Sequence, residues 1–175
     1  MGSHAHVIVI GDRALLPMAR GRIEDLERRW SRFIADSEVS RLNAERGVPR
    51  RVSAETVRLV ARAVDGWRDT SGRFDPTVLG DLIREGYDRP FQAMVLDPGR
   101  GVSMLRRNAG GIRVDPAGST VELSSDAGFD SGGLGKGLAA DMVVEELMAA
   151  GAEAACVNVG GDLRVEGPGP DDGGG

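Results

Sequence analysis

Residues 126–141 read D-A-G-F-D-S-G-G-L-G-K-G-L-A-A-D. Just before them, Val121-Glu122-Leu123 alternates like the end of a strand. Just after, Ala139, Met142, Val143, Leu147 and Ala150 recur at helical spacing. The stretch is therefore a glycine-rich turn feeding a helix. The first amides of a helix have no intrahelical partner and lie at the positive end of its dipole, where an anion fits. Lys136 sharpens the case, because a lysine in a first turn opposes the dipole unless something negative sits close by. Gly132, Gly133, Gly135 and Gly137 would let a bulky ligand approach the backbone. It is not a Walker loop, since Gly137 follows the lysine where Ser or Thr would hold magnesium. Nor is it G-x-G-x-x-G, since Leu138 takes the third glycine's place. Two readings stand: a phosphate or other anion at a helix start, or a glycine turn that lets the helix pack closely, with Lys136 in water.

Downstream, Ala154 to Val159 is a strongly apolar strand, Gly160-Gly161-Asp162 a tight turn, and Leu163 to Glu166 a second short strand. Asn158 and Asp162 bracket the glycine pair and should lie near the start of the 135–150 helix if sequence neighbours pack together. Cys156, in the run Ala154-Ala155-Cys156-Val157, reads as a small buried hydrophobe. Upstream, Gly111 to Asp115 and Ser119 to Ser124 form a hairpin around Pro116-Ala117-Gly118. Phe91 to Gly110 reads as a loop region with one short strand at most.

His4 to Ile10 is a strand. Its two histidines, His4 and His6, lack neighbours that would complete a metal site, so they suit a surface or pocket edge. A helix from about Ala14 to Trp30 turns Leu16, Ala19, Ile23, Leu26 and Trp30 inward and a charged face to solvent. Phe33 follows in a loop, free either to stack on an aromatic ligand or to anchor a core. Asp36 or Ser37 caps a short helix, and Ser53 caps a longer one ended by Gly72 at C′. Phe74-Asp75-Pro76-Thr77 leads into a helix from about Val78 to Glu85, stopped at Gly86. Asp75 and Thr77 place oxygens at that junction, for capping or for ligand contact.

A length of 175 residues suits one domain, or an incomplete piece of a larger one. A net charge of -5 argues against a general nucleic-acid surface. One cysteine excludes an internal disulfide and a cysteine zinc site. The sequence shows neither a membrane-spanning apolar run nor a signal peptide; it does not fix the compartment, which is cytoplasmic only as the sequence stands. The end, Gly167 to Gly175, reads as a loop between two strands.

Five segments together resemble the ApbE-type flavin transferases (FAD:protein FMN transferase). They are M-G-S-H-A-H-V-I-V at 1–9, R-W-S-R-F-I-A-D-S-E-V-S-R-L-N at 29–43, F-D-P-T-V at 74–78, F-D-S-G-G-L-G-K-G-L-A-A-D at 129–141 and V-N-V-G-G-D-L at 157–163. They occur in the family's order and at its spacing. The resemblance implies an α+β fold with a mixed, largely antiparallel sheet and flanking helices. It implies FAD as substrate, a magnesium ion, and an acceptor protein whose Thr or Ser hydroxyl takes FMN while AMP leaves. Some members instead hydrolyse FAD to FMN and AMP, and relatives are often exported and membrane-associated. Carried over by position, Met1, Phe33, Asp75, Thr77, Lys136 and Asp141 are FAD-site candidates, and the carbonyl of Gly133 is a metal ligand.

One departure stands out. In the family a further segment follows G-G-D, holding an A-D-x-x-A/S-T helix that completes the magnesium site. None of it occurs in these 175 residues. The chain therefore reads as the N-terminal and central part of one domain, without the C-terminal metal-binding segment. A flavin-binding module without transfer, or an inactive fragment, is the alternative.

Overall fold

A computed structural model describes residues 4–87 and 103–169. In order, the elements are β1 (Ala5–Ile10), α1 (Leu15–Trp30), α2 (Glu38–Ala44), β2 (Arg50–Arg51), α3 (Ala54–Asp69), α4 (Leu79–Arg84), β3 (Arg113–Asp115), β4 (Thr120–Glu122), α5 (Gly135–Ala149), β5 (Ala154–Val159) and β6 (Asp162–Glu166). This is the expected α+β class. Its strands form two three-stranded antiparallel sheets, β1-β5-β6 and β2-β4-β3. Among the described residues, parallel pairing is confined to the isolated bridges Val78–Gly128 and Arg106–Ala127. The chain groups into two compact units, residues 4–27 with 135–169, and residues 28–134.

In the first unit α5 packs on β5 and β6. Val143, Val144, Leu147 and Val157 are fully buried there. Strand alternation sends Ile8, Cys156, Leu163 and Val165 to the other face of the sheet, following the register Ile8–Cys156–Val165. That face carries no helix among the described residues, and Ile8 is 64% exposed and Val165 58%. Cys156 is accordingly half-buried and lines an apolar groove with Ile8, Ile10 and Val165, rather than lying in a core. The strand pattern fixed which face it occupies but not what covers that face. The β5–β6 turn is the two-residue hairpin its glycines suggest, with φ of +60° at Gly160 and +100° at Gly161.

In the second unit Trp30, Val39, Leu42, Leu59, Val60, Val121, Leu123 and Phe129 make the core. The buried indole of Trp30 donates to Thr56 Oγ1 at 3.1 Å, so its one polar atom is satisfied. Ser37 and Ser53 are the caps of α2 and α3, each accepting the amide three residues on. Gly86 (φ +88°) ends α4 at C′, with Gly86 N–H donating to Ile83 O and Tyr87 N–H to Leu82 O. The end of α3 differs by one residue from the reading above. Ser71 (φ +52°) takes C′, and Gly72 (φ +80°) donates to Trp67 O from C″. α4 also begins later than expected, because Val78 first bridges Gly128 and the helix starts at Leu79.

Candidate functional site

The 128–133 segment of the second unit is pinned from three sides. Asn43, at the end of α2, donates through Nδ2 to Phe129 O and accepts from Phe129 N–H through Oδ1, both at 2.8 Å. Asp130 N–H donates to Pro76 O at 2.8 Å, and Ser131 Oγ to Trp30 O at 2.9 Å. Asp130 Oδ2 meets Arg32 Nε at 2.7 Å, and Asp130 Oδ1 accepts from Gly132 N–H at 2.8 Å. Sequence reasoning named neither Asn43 nor Arg32 for this work; both sit far away in sequence, and only the fold brings them in.

Phe33 stands at the surface, 42% exposed, so of the two readings the core anchor is excluded. The Arg32 guanidinium lies 4.1 Å from its ring centroid. Asp75 and Thr77 are brought together at the junction before α4. Asp75 Oδ1 accepts from Thr77 N–H at 2.8 Å and from Thr77 Oγ1, while Thr77 Oγ1 accepts Asn108 N–H at 2.9 Å. Thr77 is buried and its hydroxyl is committed on both sides, within the loop network rather than to the amides of α4, whose N-cap Val78 makes no side-chain cap bond. Asn108 continues the network, donating through Nδ2 to Ser124 Oγ and Asp126 Oδ1. Hydrogen bonds from Ser124 and then Asn108 hold the Asp126 carboxyl below its ordinary range.

The glycines divide by role. A Cβ at Gly132 would meet Asp130 Oδ1 at 2.7 Å, and one at Gly133 would meet Phe74 Cε2 at 2.9 Å. Their room is filled by the chain's own side chains rather than left for a ligand. A Cβ at Gly137 would meet no described atom within 4 Å beyond its chain neighbours and the backbone of its own helix.

In the first unit Lys136, in the opening turn of α5, has Asp162 Oδ2 at 3.6 Å. The hairpin does lie beside the helix start, as its glycine pair and neighbouring Asp162 suggested. It supplies the negative group that a first-turn lysine calls for. The Arg164 pKa is raised chiefly by the hydrogen bond to Glu166, with smaller contributions from the charges of Asp141, one turn further along α5, and Glu145. Met1 lies outside the described residues, as does residues 91–102 of the expected loop. Among the described residues there is no group of three or more His, Cys, Asp or Glu that could hold a metal. No helix among them is long and apolar enough to cross a membrane.

A model of the ApbE family matches residues 1–174, and the chain belongs to that family. Its fold is similar to that of the flavin transferase ApbE from Vibrio cholerae, with a TM-score of 0.80 at 23% identity over 98% of this chain and 58% of that one. It is similar, too, to the Pseudomonas stutzeri flavinyl transferase ApbE in its apo form, at 0.76 and 21% over 97% and 62%. The ApbE protein of Thermotoga maritima matches at 0.76 and 23% over 94% and 54%. The chain thus spans between 54% and 62% of the length of these three structures. No curated protein sequence matches it.

Proposed function

We propose that this chain carries the nucleotide-binding part of an FAD:protein FMN transferase. The observation that carries the reading is the family match over residues 1–174, with its F-D-S-G-G-L-G-K-G turn opening α5. In this reading the diphosphate of FAD lies against the free amides at the start of α5, and Lys136 exchanges Asp162 for a phosphoryl oxygen. Phe33 offers a ring face to a planar part of the nucleotide. Asp75 is the polar group at its junction, with Thr77 holding it in place, and Asp141 lines the same helix as Lys136. Met1 remains a family-implied contact. The acceptor is a protein Thr or Ser hydroxyl. Its oxygen attacks the phosphorus of the FMN half, the bond to the AMP phosphate oxygen breaks, the hydroxyl proton is lost, and AMP leaves. Magnesium dependence belongs to the same proposal. The described residues hold no group of three or more His, Cys, Asp or Glu for the ion, and the Gly133 carbonyl is a family-implied ligand, so no step is routed through it.

The test is incubation with FAD, magnesium and a Thr-containing acceptor, read by intact mass. An acceptor heavier by one FMN supports transfer. FMN and AMP without a heavier acceptor means hydrolysis, and bound but uncleaved FAD means a binding module. Lys136→Glu places an anion against the diphosphate and should weaken FAD binding by about tenfold or more. Unchanged affinity in that variant removes Lys136 from the phosphate site.

A further inference from the structure

Arg32 ties together three separate stretches of the second unit. Its Nε meets Asp130 Oδ2 at 2.7 Å, its Nη2 donates to Tyr87 O at 2.7 Å, and its guanidinium covers one face of Phe33 at 4.1 Å. The ion pair is largely out of water, with side-chain exposures of 13% for Arg32 and 10% for Asp130. Such a pair is a poor device for stability, because desolvation offsets most of the attraction. It is a good device for geometry. A guanidinium is flat, so its edge can hold the carboxylate and the Tyr87 carbonyl while its face lies on a ring; an ammonium group cannot do both. Arg32 is held in turn, since its own carbonyl accepts from Ser40 Oγ at 3.2 Å.

The consequence falls on two features at once. Phe33 lies in a surface loop, where a ring would otherwise sample several rotamers. Asp130 carries the Gly132 amide on its other oxygen, so the same cation also orients the entry to the glycine turn. We propose that Arg32 is a positioning residue that presets Phe33 as a stacking plate, one face covered by the guanidinium and the other turned to a planar ring of the ligand. The proposal rests on the nucleotide reading for the identity of that ring, but the presetting itself is a property of the free protein.

The experiment is fluorine NMR on protein labelled with 4-fluorophenylalanine, which gives four resonances for the four phenylalanines. Phe33→Leu assigns the Phe33 signal. In Arg32→Gln and Arg32→Lys the Phe33 signal should narrow and move towards the free amino acid, while that of buried Phe129 stays in place. A Phe33 signal unmoved in both variants overturns the proposal. So does a Phe129 signal that moves equally, because that reports general loosening. Full recovery of the Phe33 signal in Arg32→Lys would show that charge suffices and would overturn the planar argument. If Arg32→Gln does not fold, Arg32→Lys decides alone. FAD titration of the parent and Arg32→Lys then reads the functional part. Stacking on an aromatic side chain is worth roughly 5- to 150-fold in affinity, and Arg32→Lys should lose a measurable share of that, together with flavin fluorescence quenching. A parent that binds no FAD refutes the nucleotide reading and leaves the fluorine result to judge the positioning.

Discussion

Asn43→Ala tests the clamp on the 128–133 segment most directly. The Asn43 amide replaces a strand partner for Phe129, pairing both its N–H and its C=O at 2.8 Å. Phe129 is fully buried, so water does not readily take over either group. A lost hydrogen bond whose partner stays buried costs about 1–3 kcal/mol. Two such groups, partly relieved by local shifts, give an expected loss of about 2–4 kcal/mol. Asn43→Asp keeps the acceptor for Phe129 N–H but sets a carboxylate oxygen against Phe129 O, so it should be no milder than Ala at neutral pH. Urea unfolding followed by tryptophan emission is the suitable assay. Trp30 is buried in the same unit, and its carbonyl accepts from Ser131, two residues beyond Phe129. A midpoint shift equivalent to less than about 0.5 kcal/mol in Asn43→Ala would refute the reasoning, since a surface substitution does as much.

Two further outcomes follow from the charges. Asp162→Asn should leave stability nearly unchanged, because a partly exposed pair is worth at most about 1 kcal/mol. It should tighten FAD binding by up to about fivefold by freeing Lys136; weaker binding on titration would mean that Asp162 itself helps hold the ligand. Asp126 has a folded-state pKa depressed by Ser124 and Asn108, so its contribution is present above the unfolded value and is lost as pH falls through the folded one. Asp126→Asn should therefore be less stable than the parent near neutral pH, with the gap closing below about pH 4. A gap that is constant across urea midpoints down to about pH 3 would show that the carboxylate's charge plays no part.

Local pattern carried most of the fold. The caps Ser37 and Ser53, the stop at Gly86 and the hairpin at Gly160-Gly161 each follow from a few adjacent residues, and each is found in place. What escaped is long-range. Asn43 reaches Phe129 across 86 positions and Ser131 reaches Trp30 across 101, and nothing in the periodicity of α2 marks its penultimate asparagine as a clamp. The open face around Ile8 and Val165 was equally hidden. Alternation says that two faces differ, not which of them another element will cover.

The same limit explains why Gly132, Gly133 and Gly137 looked alike in sequence and prove unlike in space, and it gives a way to separate the two readings of the turn. Gly132 and Gly133 are small because Asp130 and Phe74 crowd them, so alanine at either should destabilise the free protein whatever ligand binds. Gly137 has no such excuse. It lies in the first turn of α5, and beyond its chain neighbours and its own helix backbone a Cβ there meets no described atom within 4 Å. A glycine in a helix costs roughly 0.5–1 kcal/mol relative to alanine. If Gly137 served only close packing, Gly137→Ala would be destabilising or neutral. If the space before it is reserved for a ligand, Gly137→Ala should raise the urea midpoint of the free protein and weaken FAD binding, and Gly137→Val should weaken binding further. A variant that is both more stable and undiminished in FAD affinity would show that the space at the start of α5 is not where the nucleotide lies.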